Sequence, residues 1–472
     1  MFTWSLALIV VCVATNRWRP HLVSDSTSYL EYPFSNPAEM ARQIRLPVYP
    51  LLLHVVEMST PSDATALQMV VVIQVLLHAV AVSLLMMELQ AWGIRQIAAI
   101  SAAAAVAIGC SFWDNVSTIA TDCLAMSIGV MTATCVLRGW RIGFSIRLVI
   151  MLSLLSLIAI GLRPAYLFLL PWAVVMLSVR PCDGQPTVWQ RRLHDAGWFI
   201  VVPIVVLLAW CGFRYQSVGD FSLLPFGHQN MAAVTTQLLD NDELERLPGK
   251  VGVLGREIAK RRVLISQGDA ISTGADERTR GDGLDLRAVS DPAMRADSYM
   301  TLENRWDAMT YLVVIPAVTS IVGTDILAQH RLLADLDRVV VQNYPQRYFR
   351  WWLLAIRRGI WGSAANTLMH PVFLVITLLV TVAMVLRCIW PLGESSIMQD
   401  TQWAEPAVCG AAGQRAFFLL AISYATAKLS FIALTTPTIG RFSDAAFVFV
   451  PSLAAIWICN QMAPCPTTSS TS

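Results

Sequence analysis

The sequence predicts an all-α polytopic membrane protein, with about ten transmembrane helices and juxtamembrane helices on the outer face. Three observations carry this expectation. Of 472 residues 56% are hydrophobic and 14% charged, with mean hydropathy +0.56, whereas average soluble domains carry about 25% charged residues. The apolar residues come in long runs, of which 66–88 is the cleanest, long enough to cross about 30 Å of hydrocarbon. Arginine clusters punctuate the runs, and the positive-inside rule gives them an order.

Expected spans run at roughly 2–15, 66–88, 97–112, 116–137, 148–162, 164–179, 197–213, 370–390, 416–435 and 445–461. The first run is short, lacks a basic flank before it and shows no small-residue cleavage site, so it reads as a retained helix. The stretch 148–179 is too long for one span, and Arg163-Pro164 interrupts it. Arg138, Arg141 and Arg147 precede it; Arg180, Arg191 and Arg192 follow it. Both clusters belong in the cytoplasm, so the chain crosses twice and Arg163 lies at the outer tip of a hairpin.

A cytoplasmic N-terminus then places loop 16–65, segment 214–369 and turn 436–444 outside, with 392–415 and the C-terminal tail inside. Four regions follow: a membrane module 1–213 containing the first outer loop, an outer segment 214–369, C-terminal membrane helices 370–461, and a small, polar tail 462–472 expected to be disordered. Within the outer segment, 265–300 is rich in Gly, Asp and Arg and reads as a mobile loop. Ile326, Leu333, Leu336 and Val340 recur at helical spacing. Arg347, Arg350, Arg357 and Arg358 share roughly a 100° arc of a helix. Phe349, Trp352, Leu353, Ile356 and Ile360 take much of the remaining surface, as in a helix lying in the membrane interface.

Some chemistries have no sequence support. The ten cysteines contain no C-x-x-C and mostly sit in or beside apolar runs, where Cys acts as a small hydrophobe. A net charge of +2 makes no global electrostatic case for nucleic acid. There is no Walker loop, no G-x-G-x-x-G after a strand, no H-E-x-x-H and no serine elbow. A ligand therefore enters from the membrane or from outside.

Candidate chemistry gathers in the first loop. Asp25 follows the first helix, within Ser24-Asp25-Ser26-Thr27-Ser28, and it either serves a reaction or caps the helix that starts there. Tyr29 and Tyr32 follow at helical spacing and line a cleft or the interface. Arg45 opens Arg-Leu-Pro-Val-Tyr-Pro, in which Tyr49 stands between two prolines; the next run, Leu51–Val56, is too short to span. Arg45 is placed to meet a phosphate bidentately or to snorkel. Three more cations belong to outer membrane edges: Arg163, Lys428 within a span, and Arg441 in the last outer turn. A charge in mid-span costs about 2.5–3.5 kcal/mol, so Lys428 calls for a cavity or a partner, and Asp122 is the obvious partner.

Together these positions resemble the GT-C superfamily of integral-membrane glycosyltransferases, and most closely bacterial relatives of the dolichyl-phosphate-mannose–protein mannosyltransferases. Four features carry the resemblance: Asp25 with Ser26 and Tyr29, the element Arg45 to Pro50, the pair Arg163-Pro164, and Arg441 ahead of the last span. The stretch Asn343-Tyr344-Pro345 to Tyr348 adds to it. The resemblance implies transfer of a sugar from a polyprenyl-phosphate donor to a lipid, glycan or protein acceptor on the outer face of a cell membrane, the inner membrane in a bacterium. It implies Asp25 as the catalytic carboxylate, acting as base or metal ligand. Tyr29, Arg45, Tyr49, Arg163, Lys428 and Arg441 would bind substrate, with Arg45 the best matched phosphate ligand. Many members pair two acids in this loop, whereas here Ser26 follows Asp25 and Glu31 is not adjacent, which leaves a divalent metal open. Two other readings are a secondary transporter, which predicts repeated halves that the sequence lacks, and an envelope-glycan polymerase, ligase or flippase of another fold.

Overall fold

A computed structural model describes residues 2–179, 189–266, 306–370, 406–438 and 443–461, together with 373–376, 378 and 382. Arg441, most of the expected span 370–390, most of the loop 265–300 and the tail lie outside the described residues. Those residues are helical, and their one β-bridge is isolated, between His21 and Thr118.

Four helices among them are long and apolar enough to cross a membrane: Asp63–Ala91, Asp122–Ile142, Ala196–Val218 and Gly410–Ile432. Phe2–Ala14, Gln96–Ala107, Ile146–Leu162, Pro164–Ser178 and Val450–Asn460 coincide with expected spans but are shorter. Length and composition thus bear out a membrane protein, while the full set of about ten crossings remains an expectation. The exposed faces agree with a lipid setting. Val201, Val202, Ile204, Val205, Val206 and Leu208 point outward along the third long helix, and a band of that kind is costly in water.

The fold begins with α1 (Phe2–Ala14) and the short helices α2 (Thr27–Leu30) and α3 (Pro37–Arg42). Then come α4 (Val48–Met58), α5 (Asp63–Ala91), α6 (Gln96–Ala107), α7 (Cys110–Trp113), α8 (Asp122–Ile142), α9 (Ile146–Leu162) and α10 (Leu169–Ser178). Ser62 and Ser145 start α5 and α9 by accepting backbone N–H groups that the helix leaves unpaired. At the far end Arg141 binds Glu88 through two contacts of 2.7 and 3.1 Å, and the indole of Trp140 donates to the Met176 carbonyl at 2.8 Å. At the near end Arg163, where α9 stops, pairs with Asp122, where α8 starts. So α5, α8 and α10 run one way and α9 runs back. That is the alternation the arginine flanks predict. The break at Arg163-Pro164 is a hairpin because Pro164 cannot continue α9's hydrogen bonding.

One expected span moves. Residues 116–121 are a loop, and the helix starts at Asp122. Asp122 therefore stands in the first turn, at the membrane edge, instead of inside a span. Gly129 lets α8 approach its neighbours: a Cβ there would lie 2.5 Å from the Tyr424 hydroxyl and 2.7 Å from the Tyr166 ring.

A second hydrophobic core gathers the later segment. It contains α11's successor α12 (Gly227–Thr235), α13 (Asn241–Glu245), α14 (Gly249–Ser266), α15 (Ile315–Val322), α16 (Ile326–Asn343) and α17 (Pro345–Met369), where α11 is Trp189–Val218. The chain turns 115° between Trp306–Val322 and α16, and Gly323 takes the positive φ of +75° there. Helix α17 buries Trp351, Ala355, Gly359 and Ser363, one face at a spacing of four. The helix docks on α18 (Pro406–Ile432) and the turn after it: Trp352 donates to the Ser430 carbonyl at 2.9 Å and Tyr348 to the Leu434 carbonyl at 2.5 Å. Its outer face mixes exposed Arg350 and Arg357 with Phe349, Leu353, Ile360 and Trp361. This is the composition of a helix at a membrane interface. Arg347, on the expected cationic arc, binds Glu243 at 2.8 and 2.9 Å. A last helix, α19 (Val450–Gln461), packs on α6 through the Ser452 hydroxyl and the Ala102 carbonyl, 2.7 Å apart.

Candidate active site

The first loop folds over the near end of the bundle and is pinned there by backbone. His21 N–H donates to the Ser117 carbonyl at 2.8 Å, and Ile119 N–H returns to His21 at 2.9 Å. Ser26, buried, donates its hydroxyl to the Ile119 carbonyl at 2.8 Å while accepting Val23 N–H at 2.9 Å. Its side chain makes no cap for α2, and the Asp25 side chain is directed elsewhere.

Arg45 is what Asp25 meets. Its Nη2 lies 2.8 Å from Asp25 Oδ1, and its Nε donates to Ser28 Oγ at 2.9 Å. Its flat face covers the Tyr29 ring at 4.6 Å, and Tyr29 meets Tyr49 edge-on at 5.1 Å. Pro47 and Pro50 set the start of α4, which buries Tyr49 completely and so carries Arg45 back over α2. Four residues singled out in the sequence, Asp25, Tyr29, Arg45 and Tyr49, thus form one connected cluster. The Asp25 and Arg45 side chains remain 32% and 18% exposed, so a ligand can reach both. Burial pushes the Tyr49 phenol well up, which keeps it neutral. Burial likewise raises the Tyr32 phenol, to about 12, against the lowering effect of Arg214.

Comparison with protein-family models, with curated proteins and with solved structures finds no match to this chain.

The other cations are distributed differently from expectation. Arg163 takes Asp122, the partner anticipated for Lys428. Lys428, 3% exposed, instead donates to the Tyr166 hydroxyl at 2.9 Å and lies 4.1 Å from the centre of that ring. The reason is the hairpin tip: Arg163 and Tyr166 stand on the same tight turn, one aimed at α8 and the other at α18.

Sequence reasoning missed Arg214. It is fully buried at the end of α11, 2.8 Å from Asp220, and donates to the Ala41 carbonyl at 2.8 Å and the Ser222 carbonyl at 2.6 Å. It fastens the second helical unit to α3, beside the cluster. An arginine ending an apolar run with an acid six residues on was the available signal. The ring of Phe226 also lies near Arg45, 6.0 Å from its guanidinium carbon.

A metal does not fit these residues. The single carboxylate of the cluster faces a guanidinium, and among the described residues no three His, Cys, Asp or Glu side chains converge to hold an ion. What the arrangement offers is a partly exposed guanidinium carried on an aromatic ring and paired with one carboxylate.

Proposed function

We propose that this chain is a membrane glycosyltransferase of GT-C type, moving a sugar from a polyprenyl-phosphate donor to an acceptor hydroxyl at the outer face of a cell membrane. The observation that carries the reading is the contact of Asp25 with Arg45 over Tyr29, at a bundle end flanked by an apolar, partly exposed helix. Leu51, Val55 and Met58 of α4 are exposed beside buried Tyr49, Leu53 and Val56, as suits a helix at the acyl–headgroup boundary where a prenyl chain runs.

In this reading Arg45 turns from Asp25 to the donor phosphate. Neutralising the phosphate makes it a better leaving group, because charge growing in the transition state meets a donor already in place. The carboxylate of Asp25, released from the guanidinium, faces the anomeric carbon as positive charge builds there. Arg163, Lys428 and Arg441 are further phosphate candidates. For Arg163 and Lys428 this requires exchanging Asp122 and Tyr166 for the donor.

The test is incubation of the purified chain with a panel of polyprenyl-phosphate sugars, with and without divalent metal, scoring release of lipid phosphate. Release from at least one donor, lost in Arg45→Gln, supports the reading. Absence of release across the panel sinks it.

A further inference from the structure

The second helical unit holds a polar cluster that the transfer described above leaves idle. Asp337 in α16 is 1% exposed. Its Oδ1 accepts the Thr235 hydroxyl at 2.6 Å, and its Oδ2 lies 2.7 Å from His228 Nδ1. A carboxylate buried this deeply is tolerated when its lone pairs are satisfied, and here both oxygens are.

The consequence falls on His228. With Nδ1 turned to the carboxylate, the hydrogen bond assigns the proton to Nδ1 and the lone pair to Nε2. The side chain is 34% exposed. His330 packs against its ring at 5.0 Å, itself 7% exposed with a buried Nδ1 that has no hydrogen-bond partner. Burial holds His330 down to about 4, so it is a neutral wall. A buried acid orienting a partly exposed imidazole is the arrangement by which proteins make a positioned base.

Its location completes the argument. His228 is two residues beyond Phe226, whose ring lies 6.0 Å from the guanidinium carbon of Arg45. The stretch Phe226 to His228, at the start of α12, therefore links the Asp25–Arg45 cluster to the buried acid. We infer that His228 takes the proton of the acceptor hydroxyl, with Asp337 as its positioning residue, and that the acceptor enters between the first loop and α12.

This inference rests on the sugar-transfer reading. In the step, the acceptor O–H proton passes to Nε2 of His228 as the acceptor oxygen bonds to the anomeric carbon. The bond from that carbon to the phosphate oxygen breaks, and its electron pair leaves with the polyprenyl phosphate. The imidazolium, paired with Asp337, afterwards returns its proton to water.

The test uses the full chain in detergent and the donor that releases lipid phosphate. Two nucleophiles are compared: 1-octanol, which must lose a proton, and azide, which has none to lose. His228→Gln is expected to lose at least about 10²-fold with octanol and to react with azide at the wild-type rate. Asp337→Asn is expected to fall with octanol and to be restored by azide in the same way. Full octanol transfer by His228→Gln overturns the inference while leaving the sugar-transfer reading intact. Equal loss with both nucleophiles makes His228 structural and also overturns it. No release by the wild-type chain from any donor with either nucleophile removes the reading and the inference together.

Discussion

Replacing Asp25 by Asn should tighten donor binding while slowing transfer, because Asp25 competes with the donor for Arg45. The contact is 2.8 Å long, between side chains 32% and 18% exposed. A charge-assisted hydrogen bond contributes about 1.5–3 kcal/mol, and a neutral acceptor about half of that. Solvent screening at this exposure favours the low end. Asp25→Asn then frees Arg45 by about 1 kcal/mol, which is roughly fivefold in donor affinity. Turnover moves the other way, by at least about 10²-fold, since the charge opposite the anomeric carbon is gone. Arg45→Gln should weaken donor binding about tenfold or more. Arg45→Lys should restore only part of that, because Arg45 uses Nη2 on Asp25, Nε on Ser28 and its flat face on Tyr29 at once. Donor affinity is measured by calorimetry without acceptor, and transfer by single-turnover release of lipid phosphate. Asp25→Asn binding the donor more weakly than wild type, or turning over near normally, refutes the competition and returns the pair to a structural role.

Other consequences are open to measurement. A cysteine at Asp242 should be labelled by an impermeant reagent from outside the cell and one at Arg95 should not; the reverse pattern puts the cluster on the wrong face for the donor. Glu88→Gln should cost about 2 kcal/mol in detergent unfolding, on the low side for a broken buried pair, because Arg141 keeps 30% of its side chain exposed and can turn to solvent. Gly129→Ala should cost about 1–3 kcal/mol, since its Cβ would meet Tyr424 and Tyr166, and a crystal structure of the variant should show Tyr166 displaced from Lys428. Burial raises Asp337 from its ordinary 3.8 to about 6, outweighing the lowering by His228 and Thr235. Its titration therefore contributes stability that is fully present below about 3.8 and lost as the pH rises through about 6. Unfolding of Asp337→Asn between pH 4 and 7 should lack that part of the slope.

How much of this was legible before folding depends on the range over which each force acts. Apolar transfer works residue by residue, so runs such as 66–88 announce their helices. Pro164 breaks the helix locally, and the hairpin at Arg163 followed from that break and the flanking arginines. Asp25 and Arg45 were legible as candidates because both are charged groups in the first outer loop, close to where an apolar run ends. Helix limits were less legible at 116–121, where an apolar loop and an apolar helix look alike in composition.

What the sequence by itself determined is the class of the protein, the alternation of its helices and the loop in which charge collects at a membrane edge. Only the tertiary structure decided who pairs with whom. Asp122 pairs with Arg163 and Lys428 meets Tyr166, because a tight turn aims neighbouring side chains at different helices. Asp337 and His228, 109 positions apart, carry no pattern that links them in the chain. Their bond exists because α12 and α16 pack face to face, and packing is a property of surfaces brought together from distant segments, which no local preference records.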